Sequence, residues 1–130
     1  MSRLFAFGFG YSAQTLAPRL AGRGWTIAGT ARDESKRDAL RAQGFDAAPF
    51  SGDAPHPGID RILKGTTHLL HSIPPSRQDD ASHGDLVLTH YGGVLTQLPT
   101  LQWVGYLSTV GVYGDQQGEW VSEDTPPKPN

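Results

Sequence analysis

An apolar run that stops at two closely spaced glycines constrains this sequence more than any other feature. Leu4 to Phe7 is continuous and apolar, which is typical of a buried strand, and Gly8 and Gly10 follow it directly. A stripe at helical spacing then begins at Ala13. The spacing of the three small residues is G-x-G-x-x-A, a form of the dinucleotide-binding fingerprint. Ordinary turns also contain glycine, so the predicted strand and helix on either side give the motif its weight.

Each small residue of this motif has a mechanical role. Gly8 allows a tight turn, Gly10 lets the backbone approach a pyrophosphate closely, and Ala13 lets helix and strand pack together. The unpaired N–H groups at the start of the following helix then face that anion. The candidate cofactor-binding residues of this segment are Gly8, Gly10, Tyr11, Ser12 and Ala13.

The end of the second predicted strand bears on the choice between NAD and NADP. The strand runs from Trp25 to Thr30, and Asp33 is expected to cap a helix that Gly44 terminates. In NAD-binding folds a carboxylate about 20 positions past the fingerprint holds the ribose 2′-hydroxyl, whereas an arginine accommodates the 2′-phosphate of NADP. Thr30 and Arg32 stand there instead, which favours NADP, with NAD as the alternative cofactor. The competing interpretation is that Arg32 is a solvated surface charge.

The rest of the chain continues the alternation of strands and helices. Further strands are predicted over 45–50, 67–73 and 102–108, and further helices over 59–63 and 86–98. The last strand is nearly all apolar, as expected of a strand covered on both faces. The alternation predicts one α/β domain over residues 1–130, a Rossmann-type doubly wound parallel sheet of about five strands in the order 3-2-1-4-5. Pro18 is expected to kink the first helix.

Composition and spacing argue against several other functions. The net charge is −2 with 18% charged residues, so neither nucleic acid nor a membrane is an expected partner. The chain has no cysteine and no signal-type apolar segment, which makes the cytoplasm the expected location. His68 and His71 should point to opposite faces of one strand, which argues against a shared metal site. Neither a G-x-S-x-G elbow nor a phosphate-loop lysine is present, which argues against hydrolases and phosphate-loop NTPases.

Two hydroxyl residues end the fifth predicted strand. Ser108 and Thr109 begin the stretch Ser-Thr-Val-Gly-Val-Tyr-Gly-Asp. Ligands of an open α/β sheet bind beyond the carboxyl ends of its strands, so these hydroxyls would face the nicotinamide end of a cofactor held at Gly10. The alternative is that both hydroxyls only satisfy backbone groups at the strand end.

With these motifs the sequence resembles the extended and atypical short-chain dehydrogenase/reductases, also called NAD-dependent epimerase/dehydratases. The similarity lies in Gly-Phe-Gly-Tyr-Ser-Ala over 8–13, Gly-Thr-Ala-Arg over 29–32, and the block from Ser108 with its acidic-proline sequel over 123–126. The resemblance implies hydride exchange between a nicotinamide cofactor and a hydroxyl or carbonyl of a small-molecule substrate. It also implies that Thr109 is the catalytic Ser/Thr with Ser108 beside it, and that Ser72 and Ile73 pass under the ribose and pyrophosphate of the cofactor.

The sequence departs from the family pattern in two respects. Phe7 stands where extended members usually begin the glycine motif and Ala13 replaces its last glycine, which suggests an atypical member. The Tyr-x-x-x-Lys pair of the family would follow residues 125–130 and is absent from this chain. We therefore expect an incomplete dinucleotide-binding domain without its substrate-binding part. Without the next helix and strand, one face and one edge of residues 103–107 would lie open, an apolar patch that favours self-association or poor stability.

Three functions stay open at this point. The leading one is the cofactor domain of a reductase or epimerase-like enzyme. The second is a non-catalytic NADP-binding sensor, which binds cofactor and a protein partner without turnover. The third, an S-adenosylmethionine methyltransferase, also has a glycine turn after its first strand, but it expects an acidic residue where this chain has Thr30 and Arg32.

Overall fold

Strands and helices alternate along the chain in the computed structural model, which describes residues 2–51, 55–73 and 86–107 together with residues 117, 122, 124 and 126. The strands are β1 (Arg3–Phe7), β2 (Thr26–Ala31), β3 (Asp46–Pro49), β4 (His68–His71) and β5 (Trp103–Tyr106). The helices are α1 (Tyr11–Ala21), α2 (Glu34–Ala42), α3 (Pro57–Leu63) and α4 (Leu86–Thr96). All strands pair in parallel in the order β3-β2-β1-β4-β5, which confirms the predicted Rossmann-type sheet.

Two apolar cores lie on opposite faces of this sheet, because side chains alternate along each strand. From β1, Leu4 and Ala6 belong to the core beneath α1 and α2, whereas Phe5 and Phe7 belong to the core beneath α3 and α4. The helices contribute to these cores through Ala13, Ala17 and Leu40 on the first face and Ile59, Leu63, Val87, Tyr91 and Leu95 on the second. Both faces of the central strand are thus covered, as its continuous apolar run predicts.

The starts of α1 and α2 differ in how they are capped. The Asp33 carboxylate accepts a hydrogen bond from the Lys36 N–H at 2.8 Å, so the predicted cap of α2 is confirmed. The N-cap of α1 is Gly10, and no side chain caps this helix. The helix continues past Pro18 to Ala21. Leu16 is 37% exposed, so the apolar stripe of α1 is narrower than predicted.

β5 is more exposed than expected in the part of the chain that the structure describes. The absence of the next helix and strand predicts one open face and one open edge. Trp103, Val104 and Tyr106 are 49%, 59% and 50% exposed. Neighbouring residues of a strand point to opposite faces, so β5 exposes apolar side chains on both. Within the described ranges β5 pairs with β4 and has no second strand neighbour, which leaves one edge open.

The two histidines of β4 lie on opposite faces, as predicted. The His68 ring lies against Trp25, with centroids 4.6 Å apart, and the His71 ring meets Tyr106 edge-on at 4.9 Å. Among the described residues, no three His, Cys, Asp or Glu side chains come close enough to hold a metal ion. No helix in those same ranges combines the length and apolarity needed to cross a membrane.

Candidate functional site

A cavity of about 320 Å³ opens where β1, β2 and β4 end. Ligands of open α/β sheets bind at this edge, beyond the carboxyl ends of the strands. The cavity brings together predicted residues from the glycine turn, the end of β2 and the segment after β4, namely Gly8, Gly10, Thr30, Arg32, Ser72 and Ile73.

The remaining predicted residues lie elsewhere. Tyr11 and Ser12 form the exposed first turn of α1 and do not line the cavity, and Tyr11 is 88% exposed. Ala13 is buried in the core between α1 and the sheet, which fits the packing role expected of it. The predicted catalytic residues Ser108 and Thr109 are outside the described residues.

The two glycines of the turn are required for different reasons. Gly8 has a φ of +84°, and a Cβ there would lie 3.0 Å from both the Ile73 side chain and the Ser72 Oγ. Other residues rarely adopt this backbone conformation. Gly10 has an ordinary φ of −90°, and a Cβ there would meet no atom within 4 Å. The absent side chain of Gly10 therefore leaves open space beside the start of α1.

The start of α1 is a potential anion site. Its first backbone hydrogen bond joins the Gln14 N–H to the Gly10 carbonyl oxygen at 2.9 Å. The N–H groups of Tyr11, Ser12 and Ala13 precede that bond and have no acceptor within the helix. With no side-chain cap, these donors and the positive end of the helix dipole are available to an anion.

Two cations also line the cavity. Arg32 directly follows β2 and Lys36 belongs to the first turn of α2, and both side chains are exposed. The ion pairs of the described residues join other groups, Arg3 to Asp46 and Arg37 to Asp38. Arg32 and Lys36 thus provide two positive charges that form no ion pair within the described ranges.

Six lining residues were not among the predicted site residues, namely Phe9, Ala31, Lys36, Phe50, Ser51 and Leu86. Lys36 had a signal, since it stands four positions after Arg32 in the first turn of a helix whose cap was predicted. Phe50 and Ser51 follow β3, and Leu86 begins α4. These three meet the glycine turn through the fold, and no spacing in the sequence indicates that proximity.

Phe9 anchors the glycine turn in the protein core. Its ring is 8% exposed and stacks on Phe45, with centroids 5.8 Å apart. The ring also covers Gly29 of β2, where a Cβ would overlap it. The residue between the two glycines therefore holds the turn against β2.

Comparisons with known proteins place this geometry among solved structures. No model of a known protein family and no curated protein matches the sequence. A conserved protein of unknown function from Silicibacter pomeroyi DSS is 40% identical with a TM-score of 0.78. The alignment covers 100% of this chain and 43% of that one, so this chain spans less than half the length of that relative.

Two reductases solved with NADPH also match. Gre2 from Candida albicans is 15% identical with a TM-score of 0.63, over 86% of this chain and 38% of that one. The yeast methylglyoxal/isovaleraldehyde reductase Gre2 is 19% identical with a TM-score of 0.60, over 85% and 38%. The chain has the fold of these reductases. The resemblance to the short-chain dehydrogenase/reductases is thereby confirmed at the level of the fold.

Proposed function

We propose that this chain binds NADP(H) and forms the cofactor domain of a reductase or epimerase-like enzyme. The observation that carries this proposal is that Arg32 and Lys36 line the same cavity as Gly10, at the uncapped start of α1. NADP carries a pyrophosphate and a 2′-phosphate, and the cavity offers one cationic or donor-rich place for each. Both Gre2 structures hold NADPH, which supports the same choice for this fold.

The residues of the cavity fit the adenosine half of the cofactor. The N–H groups at the start of α1 would bind the pyrophosphate, where Gly10 leaves room for it. Arg32 and Lys36 would hold the 2′-phosphate through charge-assisted hydrogen bonds. Phe50 and Leu86 would supply apolar contacts to the adenine ring.

The chemistry proposed for the enzyme is hydride exchange with a hydroxyl or carbonyl of a small molecule. Bound NADPH supplies the hydride. By the family resemblance, the Thr109 hydroxyl would hydrogen-bond the substrate oxygen, with Ser108 beside it. Oxidation of NADPH by this chain in the presence of carbonyl compounds would exclude a sensor, whereas binding without oxidation is expected of a sensor and equally of a chain without the Tyr-x-x-x-Lys pair.

Calorimetric titration of the 130-residue chain with NADPH and NADH tests the cofactor proposal. We expect NADPH to bind at least about tenfold more tightly, since two charge-assisted contacts to its 2′-phosphate are absent from NADH. Arg32→Ala and Lys36→Ala should each weaken NADPH binding and leave NADH binding unchanged. Arg37→Ala is the matched control, because it removes the same charge from α2 at a residue paired with Asp38 and away from the cavity.

Two results would contradict the proposal. Equal affinity for both cofactors would argue against a 2′-phosphate site at Arg32 and Lys36. A folded chain that binds neither cofactor would show that the glycine motif is a structural turn without a role in cofactor binding. Calorimetry suits this test better than tryptophan fluorescence, because Trp25 and Trp103 flank His68 at the start of β4, away from the cavity.

A further inference from the structure

Two hydroxyl groups from neighbouring strands hold the glycine turn. The Thr30 Oγ1 accepts a hydrogen bond from the Gly8 N–H at 2.9 Å. The Ser72 Oγ donates to the Gly8 carbonyl oxygen at 2.7 Å and lies 3.2 Å from the Phe7 carbonyl oxygen. Both backbone polar groups of Gly8 are therefore bound by side chains, one from the end of β2 and one from the segment after β4.

Backbone hydrogen bonds reinforce the same two attachments. The Phe9 N–H donates to the Thr30 carbonyl oxygen at 2.9 Å, and the Ser72 N–H donates to the Phe7 carbonyl oxygen at 3.0 Å. The turn is thus fixed on both sides without using the first N–H groups of α1. Those groups keep their full capacity to bind an anion.

We propose that Thr30 and Ser72 are positioning residues that orient the glycine turn and the start of α1 for the pyrophosphate of the cofactor. This inference rests on the proposed function, the binding of NADP(H). Thr30 is 1% exposed and its hydroxyl is engaged with Gly8, so it acts through the turn. The two attachments meet at Gly8, whose φ of +84° is one that glycine adopts readily and other residues rarely do.

This role differs from that of Arg32 and Lys36 in the part of the cofactor that it concerns. Arg32 and Lys36 lie just before α2 and in its first turn, where the 2′-phosphate would bind. Gly8 instead lies just before α1, where the pyrophosphate would bind. Thr30→Val has nearly the same shape but leaves the Gly8 N–H without its acceptor, so the turn should relax. Thr30→Ser keeps the acceptor and should keep the turn.

Titration with two ligands separates positioning of the turn from a general effect on the fold. NADPH contains the pyrophosphate, whereas adenosine 2′-monophosphate contains the 2′-phosphate and no pyrophosphate. We expect Thr30→Val and Ser72→Ala to weaken NADPH binding about tenfold or more and to change binding of the monophosphate by less than about twofold. Thr30→Ser should restore NADPH binding to within about threefold of the wild-type affinity. Arg32→Ala should weaken binding of both ligands.

The outcomes distinguish this inference from the proposed function. Suppose that the wild-type chain binds both ligands and that the Thr30→Val and Ser72→Ala variants bind NADPH as tightly as the wild type. This result would overturn the inference and leave the proposed function standing. Parallel loss of both ligands in these variants would also overturn it, since a general structural role predicts that pattern. Wild-type chain that binds neither ligand would overturn the proposed function and this inference with it. Circular dichroism identifies folded variants, and Ser72→Ala decides the test should Thr30→Val not fold.

Discussion

Gly8 and Gly10 form one motif, yet the structure separates their roles residue by residue. Gly8 is needed by the fold, because of its positive φ and the 3.0 Å approach of Ser72 and Ile73. Gly10 has an ordinary φ and open space where a side chain would stand. A substitution at Gly10 should therefore affect a ligand more than it affects folding.

Gly10→Asp is the sharpest test of that difference. Aspartate is a favourable N-cap residue, so the free energy of unfolding of the variant should equal or slightly exceed that of the wild type. Its carboxylate would occupy the site proposed for the pyrophosphate and repel that anion, so NADPH binding should be lost. Gly8→Ala should instead cost about 1–2 kcal/mol of stability through the left-handed backbone. Urea denaturation and calorimetry measure the two effects, and NADPH binding by Gly10→Asp would contradict the assignment.

Gly29 carries a second residue-level prediction. A Cβ at this position would overlap the Phe9 ring and lie 2.8 Å from the Ala6 carbonyl oxygen. Gly29→Ala should therefore destabilise the chain by about 1–3 kcal/mol and displace Phe9 from its core site. Leu16→Ala, a truncation at a partly exposed position of α1, is the comparison variant. Thermal unfolding measures this effect, and a Tm of Gly29→Ala equal to that of the wild type would show that the core accommodates the methyl group.

The residues of the candidate site differ in how far the sequence could reveal them. Arg32 follows from its distance after the glycine motif, and Lys36 could have followed from the cap at Asp33. Ser72 and Ile73 were reached through the family resemblance, since β4 neighbours β1 only in the folded sheet. Phe9 carried no signal, because its role depends on the missing side chain of Gly29 on another strand.

At the scale of elements, Tyr91 joins α4 to α3. Its buried hydroxyl accepts a hydrogen bond at 2.8 Å from the N–H of His56, the N-cap residue of α3. Its ring lies against Phe7 and Phe50, with centroid distances of 5.5 Å and 5.6 Å. Burial raises the pKa of Tyr91 above its ordinary value of 10.0, the backbone hydrogen bond with His56 opposes this, and Asp60 adds to it.

This environment predicts a specific loss of stability in alkali. A raised pKa means that the folded chain holds the phenol proton more tightly than the unfolded chain does. The resulting stabilisation is complete below pH 10 and is lost as the pH rises through the folded pKa. The free energy of unfolding should therefore fall more steeply above pH 10 in the wild type than in Tyr91→Phe. At neutral pH Tyr91→Phe should cost about 1 kcal/mol, since the His56 N–H loses its acceptor.

Urea denaturation across this pH range measures both effects. Tyr106→Phe is the matched control, because that phenol is half exposed on β5. Parallel pH profiles for the wild type and Tyr91→Phe would show that the Tyr91 proton contributes nothing to folding.

The order of the elements and the coverage of β1 were predictable, whereas the exposure of β5 on both faces was not. Alternating strand and helix patterns allow few parallel topologies, so the order 3-2-1-4-5 followed from right-handed crossovers. The apolar run of β5 resembles that of β1, but only β1 is covered on both faces in the described ranges. A sequence pattern records that a strand can be buried, and the surrounding chain determines whether it is.

At the scale of the whole molecule, β5 stands out because its large apolar side chains are not buried in either of the two cores. Trp103, Val104, Tyr106 and Leu107 are all between 43% and 59% exposed. The edge of β5 that faces away from β4 has no strand partner in the described ranges. An apolar edge with open backbone groups is a template for pairing with another strand.

We propose that two copies of this chain associate through β5. Light scattering after size exclusion should give a mass that rises above the 14.0 kDa of one chain as the concentration increases. Val104→Lys should suppress the rise, because a charge on an edge strand opposes strand pairing. Leu16→Lys adds the same charge on α1 and should leave the association unchanged. A mass of one chain at every concentration would contradict the proposal, and equal suppression by both variants would show that net charge, rather than the β5 edge, controls association.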